Sequence, residues 1–499
     1  MAKIGVIGAG FAGLSAACYL AAAGHEVHVF EKNARAGGRA RQLDTSNGFV
    51  FDMGPSWYWM PSVFERFFTD FGYNVAQLYQ LQLLDPGFEM VYGHHNSLVV
   101  PAGYNELCDL FESVEKGAGL QLKKFLAEAE QKYRLGMEQL VYKPALSIKE
   151  FFSVQLISKA FRSDVFVPFS RHVRRFFTNP KLIALMEFPV LFLGAKPAHI
   201  PALYSLMNYA GLKLGNWYPI GGFGKVITVM QTIAQKNGAV FHFNAPVQKV
   251  VTDNGLVKGL EVNGETFACD GLVAAADYHH VEEALLAPGE RNYDELYWNS
   301  RVLAPSSLIF YLGINKKINR LHHHTLFFDE SLDAHADEIY TTPQWPARPL
   351  FYACCPSKTD DSVAPPGCEN VFLLMPVAPG LEDTDAIRET YFSMLMQRLE
   401  QFAGEAIAPH IIYKQSYCIK DFTSDYNSYK GNAYGLANTL SQTAILKPKI
   451  KNYRLKNLFY AGQLTVPGPG VPPSIISGKI AAGLLNEYLI QSRHEILVR

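Results

Sequence analysis

Apolar residues fall in short unbroken runs at both ends of the chain and in helical stripes through its middle. Lys3–Ile7 (KIGVI) runs straight into Gly8, the pattern of a strand buried on both faces of a parallel sheet. Residues 14–23 are a small-residue helix that Gly24 ends, and 26–31 (EVHVFE) is a second strand. From about 61 to 200 the pattern becomes mostly helical, with amphipathic stretches at 63–71, 105–113 and 120–135. Strand character returns at 239–243, 247–252, 258–262 and 271–275, and again at 307–313 and 371–376. Residues 384–403 read as helix, with Thr384 as N-cap and Gly404 just past the end. The chain closes with a strand at 458–461, a Gly/Pro-rich loop and a helix over 474–488.

The chain thus begins and ends with elements of one dinucleotide-binding fold. The expected architecture is α/β. A Rossmann-type nucleotide-binding domain is assembled from 1–60, 215–300 and 450–499. A mainly helical region, 61–214, is inserted in it and can face a membrane, and 301–449 supplies a mixed-sheet substrate domain. A length of 499 residues suits several lobes better than one core.

Composition narrows the function class. With 45 basic and 46 acidic residues the formal net charge is -1, which gives no electrostatic footprint for nucleic acid. Aromatic residues make up 13%, with 33 Phe and 26 Tyr, enough to enclose a large apolar ligand. The seven cysteines form no CxxC pair and no disulfide-like spacing, as expected of reduced thiols in a cytoplasm. A strand starting at Lys3 leaves no room for a signal peptide, and no apolar run is long enough for a membrane span.

Candidate chemistry begins at Gly8-Ala9-Gly10-Phe11-Ala12-Gly13, a GxGxxG between strand and helix. Gly8 permits the tight turn, Gly10 lets backbone approach a pyrophosphate, and Gly13 lets helix pack on sheet. Glu31, at the end of the second strand, stands where an acid accepts hydrogen bonds from ribose hydroxyls and disfavours a 2′-phosphate. Then come Gly37-Gly38-Arg39-Ala40 and Phe51-Asp52-Met53-Gly54-Pro55-Ser56. A second glycine pair suits a cofactor longer than NAD, hence FAD, with Arg39 against the pyrophosphate or over the flavin. Near the C-terminus, Ala461-Gly462-Gln463 ends a strand, and Pro467-Gly468-Pro469-Gly470-Val471-Pro472-Pro473-Ser474 opens a helix. A helix N-terminus there stabilises the negative charge of a reduced flavin. Asp277 follows a strand and reads equally as cofactor ligand or as N-cap of the next helix. Lys479, His279–His280 and His322 to His324 show no metal-ligand company, so no metal is expected. No GxSxG motif is present.

These motifs, with GNWYPIGGFGKVI (215–227) and FTSDYNSYKGNAYG (422–435), resemble the bacterial-type phytoene desaturases, the carotenoid desaturases among FAD-dependent oxidoreductases. The resemblance spans nearly the whole chain, and the PGPGVP loop is its more discriminating part. It implies noncovalent FAD, a linear C40 polyene substrate, removal of two vicinal hydrogens, oxygen or quinone as electron acceptor, and work at a membrane surface. It places Gly8, Ala9, Gly10, Phe11, Ala12, Gly13, Glu31, Lys32, Gly38, Arg39, Gly54 and Pro55 along the cofactor, and also Val247, Asp277, Gly462, Gln463, Gly470 and Val471. Gln463 replaces a small residue and Pro469 and Pro473 stiffen the loop, so a hydroxylated carotenoid desaturated at its 3,4 bond is an alternative substrate. No catalytic base is identified. Arg171, His172, Arg174 and Arg175 are candidates, and also read as a solvated or membrane-facing basic face. The apolar segment 191–209 is the expected membrane contact, or else an ordinary core helix pair. A flavin amine or amino-acid oxidase and a noncatalytic flavoprotein or prenyl-carrier escort are the readings from other classes.

Overall fold

The computed structural model describes residues 1–151 and 167–498. Five parallel strands form the first sheet, in the order Leu458–Tyr460, Gly271–Ala274, Lys3–Ile7, Glu26–Phe30 and Val240–His242. The first and last segments of the chain therefore pair in one sheet only through Gly271–Ala274, and both ends carry helices onto it. Helix Phe11–Ala22 starts three residues earlier than its apolar pattern, inside the glycine loop, because Gly10 supplies the extended backbone of an N-cap. Helix Val471–Val498 packs on it so closely that a Cβ at Gly478 would lie 2.2 Å from the Ala12 carbonyl oxygen. That helix also starts earlier than expected. Pro472 and Pro473 fall in its first turn, where a missing N–H removes no helical bond. Phe223–Lys236 packs on Phe11–Ala22.

The second sheet has seven strands, in the order Ile411–Tyr417, Ser306–Ile314, Glu369–Val377, Phe351–Cys354, His324–Phe327, Phe88–Gly93 and Asn96–Val100. All neighbours are antiparallel except His324–Phe327 with Phe88–Gly93. Ser306–Ile314 is buried on both faces, as its unbroken apolar run requires. The region 61–214, expected to be mainly helical, also carries strands. Leu81–Leu83, Phe88–Gly93 and Asn96–Val100 are strands within it, and the last two extend the seven-stranded sheet. Residues 152–166 of that region lie outside the described residues. A three-stranded antiparallel sheet, Val247–Asp253, Leu256–Val262 and Glu265–Ala268, flanks the parallel one.

No described helix is long and apolar enough to cross a membrane. The segment 191–209, expected at a membrane surface, turns much of its apolar side inward: Leu193, Ile200, Ala202 and Leu206 are buried. All seven cysteines are free thiols.

Candidate functional site

One cavity of about 670 Å³ runs from the glycine loop of the parallel sheet to the inner face of the seven-stranded sheet. At its first end Gly8 turns the chain at φ +93° and Gly10 and Gly38 face each other, with a Cβ on Gly38 only 3.1 Å from Gly10 Cα. Gly13 cannot carry a side chain, since its Cβ would lie 1.9 Å from the Gly8 oxygen, and a Cβ at Gly54 would lie 2.5 Å from the Arg39 oxygen. These contacts leave a groove bounded by backbone. Helix Phe11–Ala22 has neither a side-chain cap nor an acid in its first turn, and Val471–Val498 has no first-turn acid. The free first-turn N–H groups of Phe11–Ala22 and the positive dipole ends of both helices are left for an anion.

Glu31 braces this groove. Its carboxylate accepts from Ala9 N at 2.8 Å and from Asn33 N and Nδ2 at 2.9 Å. Oε1 takes both Asn33 donors, so Oε2 is the oxygen that keeps a lone pair for a further donor. Lys32 is tied down by the Ser424 carbonyl at 2.6 Å. Arg39 donates to Ser428 Oγ at 2.9 Å and to the Asn432 carbonyl at 3.3 Å, while its Nε is buried without a partner. Gln463, with its amide oxygen turned to Arg39, accepts from that guanidinium at 3.1 Å and from Gly435 N at 3.2 Å. Asp277 combines both expected readings: it caps His280 N at 3.3 Å and lines the cavity. Burial pushes its carboxyl up to about 6, and the Arg39 charge holds it from going higher.

Of the residues expected along the cofactor, all but Ala9 and Gly13 line the cavity, and those two belong to the same glycine loop. An orphaned guanidinium nitrogen, the uncapped end of helix Phe11–Ala22 and glycines that no Cβ could replace fit a bound dinucleotide. The residues present therefore suit a flavin dinucleotide. The basic run does not join this site. Arg171, His172, Arg174 and Arg175 are absent from the described cavity wall; His172 is buried against Lys132 at 3.2 Å, and Arg174 pairs with Glu187.

The far end of the cavity is apolar. Phe188, Leu191, Leu193 and Met207 form one wall, and Ile309, Leu326 and Leu374 the other. Its ionised groups gather at the cradle: Glu31, Lys32, Arg39, Asp277 and Asp425. Lys143, the remaining one, is bonded to the Glu150 carbonyl. The strand pattern did not show the small set of hydroxyls on the sheet side, Ser56, Ser307, Tyr340, Tyr352 and Tyr434. Ser307 and Tyr352 stand at buried strand positions, and the other three come from loops and a helix end, where no pattern marks them. Nor did it show the company of His323 and His324. One imidazole nitrogen of each lies with Cys354 Sγ within 4.8 Å. Their Nδ1 atoms are already bonded, to Thr359 Oγ1 at 2.7 Å and to the Tyr352 hydroxyl at 2.5 Å.

Comparison with known proteins adds a lineage to this geometry. The model of the flavin containing amine oxidoreductases matches residues 11–486. The chain is similar to a carotenoid 3,4-desaturase of Haloarcula japonica, 38% identical over 97% of each chain. It is also similar to a zeta-carotene-forming phytoene desaturase of Myxococcus xanthus, 30% identical over 96% of this chain and 92% of that one. Among solved structures, an oxidoreductase from Methanosarcina mazei superposes with a TM-score of 0.63 at 17% identity, covering 96% of this chain and 99% of that one. A redesigned putrescine oxidase gives 0.63 at 12%, covering 97% and 99%. These two share the fold.

Proposed function

The chain belongs to the flavin-containing amine oxidoreductases, and within them to the carotenoid desaturases; from that premise we propose that it removes two vicinal hydrogens from a linear C40 carotenoid, with FAD as first electron acceptor. One observation carries this reading: the cradle opens into a chamber whose walls beyond it are aliphatic and aromatic. FAD, when bound, would supply the hydride acceptor, and the helix end at Gly470 and Val471 would stabilise the negative charge of its reduced form. The protein's own part is to bind the cofactor by Gly8, Gly10, Gly38, Arg39 and Gly54, to hold the polyene straight, and to exclude water.

A chamber of this kind cannot stabilise a localised charge. An amine substrate would need a carboxylate there, and those of the lining sit at the cradle. A polyene spreads its developing cation along the chain and needs no such partner. A phytoene-like substrate is the first reading. Desaturation of a hydroxylated carotenoid at its 3,4 bond is the second, favoured by the higher identity to the 3,4-desaturase. Such substrates dissolve in lipid, and we propose peripheral contact with a membrane and oxygen or quinone as final acceptor.

The test is expression in cells that accumulate phytoene and, separately, in cells that accumulate a 1-hydroxylated carotenoid. A red-shifted, more conjugated pigment is expected in one of them. If neither pigment changes while an amine bleaches the purified flavin, the carotenoid reading is wrong. Liposome co-sedimentation tests the membrane contact. Complete recovery in the supernatant, with activity on detergent-free substrate, would remove it.

A further inference from the structure

The reaction proposed above, on which this inference rests, leaves a proton to be placed. Loss of a hydride from an allylic carbon gives a delocalised cation. The new double bond forms only when the neighbouring C–H gives up its proton, and a hydrocarbon wall cannot hold it. A hydrogen-bonded chain leads from the cavity into the protein. Ser56, next to Pro55, lies on the cavity wall. The Tyr352 hydroxyl is 3.0 Å from Ser56 Oγ, and the same phenol oxygen is 2.5 Å from His324 Nδ1. His324 is 0% exposed and its Nε2 has no partner. Trp57, itself on the cavity wall, stacks on this imidazole with centroids 4.0 Å apart. An imidazole kept for packing alone would gain nothing from an orphaned nitrogen, which costs about 1–3 kcal/mol.

We infer that Ser56, Tyr352 and His324 form the acceptor for the substrate's proton, Ser56 meeting the substrate and the other two acting through it. In the accepting arrangement Ser56 donates to the Tyr352 oxygen, and Tyr352 donates to Nδ1 of an imidazole that carries its hydrogen on Nε2. The electron pair of the breaking C–H bond becomes the new π bond, and the proton bonds to Ser56 Oγ. Ser56 hands its own hydrogen to Tyr352, and Tyr352 hands its own to His324. The carotenoid has then lost a hydride to the flavin and a proton to the imidazole, so atoms and electrons balance. Burial holds His324 well below the ordinary imidazole range, which keeps it neutral and able to accept. A weak base suffices, because a polyene cation is a far stronger acid than an imidazolium. The proton returns along the same chain once the product has left.

The experiment uses the full chain loaded with FAD and the carotenoid that proves active in cells. Flavin bleaching is followed in anaerobic single turnovers for wild type, Tyr352→Phe, Ser56→Ala and His324→Gln. Tyr352→Phe keeps the ring and removes the link. The expected result is unchanged FAD content and KM, with the bleaching rate down about 100-fold. The solvent deuterium effect of wild type is lost in Tyr352→Phe. The wild-type rate falls on acidification as His324 becomes charged, and His324→Gln lacks that fall. In ¹⁵N-histidine spectra without substrate, the imidazole signal missing from His324→Gln is the one that moves in Tyr352→Phe. Ser56→Ala carries the test if Tyr352→Phe fails to fold. Rates within twofold of wild type, with the solvent effect intact, overturn the relay. A wild type that desaturates no carotenoid overturns the reading under Proposed function, and the relay with it.

Discussion

Replacing Arg39 by Met should separate cofactor binding from folding. The guanidinium sits in the cradle with Nε orphaned; Ser428, Asn432 and Gln463 take its hydrogen bonds, and the Tyr426 ring lies 5.1 Å from its central carbon. Its removal strands nothing at Ser428, whose hydroxyl already donates to the Asn432 carbonyl at 2.5 Å. The flavin-free fold should therefore lose little at this contact, and the buried Asp277 carboxyl should rise further once the Arg39 charge is gone. What is lost is the cation facing the dinucleotide. One hydrogen bond to a charged group contributes about 1.5–3 kcal/mol, which is roughly 10- to 150-fold in affinity. Flavin-free protein titrated with FAD, followed by quenching of flavin fluorescence, measures this directly. Arg39→Lys keeps the charge but not the planar fork, and should fall between the two. A Kd for Arg39→Met within twofold of wild type would refute the assignment of this cation to the cofactor.

Gly13→Ala forces a Cβ to within 1.9 Å of the Gly8 oxygen. The loop must shift at about 1–3 kcal/mol, and the purified protein should emerge without flavin; normal yellow protein would contradict the loop's role. Asp277 gives a pH signature. Its folded carboxyl is raised from 3.8 to about 6, so its contribution to stability is full below 3.8 and lost as pH rises through 6. Asp277→Asn should thus gain on wild type, in the flavin-free form, by about 2.4 kcal/mol between pH 4 and pH 8. Denaturant unfolding at both values checks this, and a pH-independent difference would sink it. Arg388 lies outside the cavity and bonds both oxygens of buried Asp383 at 2.7 and 2.6 Å, and Asp421 at 2.7 Å. Arg388→Met should lower stability by about 3–5 kcal/mol, because it leaves Asp383 buried and unpaired, while the flavin spectrum of the folded fraction stays unchanged.

The cofactor end of the molecule was legible in the sequence. A tight βαβ turn leaves few ways to place three glycines and an acid. Gly8, Gly10, Gly13 and Glu31 sit where their spacing puts them, and local chemistry suffices to say so. The discontinuous parallel sheet was legible for the same reason, because strands buried on both faces read as unbroken apolar runs. The stretch 81–100 was not. Its strands are short, and Phe88–Gly93 finds its partner His324–Phe327 more than 200 residues away. A pairing of that span leaves no periodic mark on either segment. The apolar segment 191–209 was ambiguous because residues facing an internal chamber and residues facing lipid are chosen by the same hydrophobicity. Nor does any spacing link Ser56, Tyr352 and His324. They lie on a loop and on two adjacent strands of one sheet, and only the tertiary fold brings a hydroxyl, a phenol and an imidazole into one hydrogen-bonded line. Sequence by itself determines the motifs that close within a turn or two of the chain. Convergence of side chains across distant strands is decided by packing, because register and strand order set those distances.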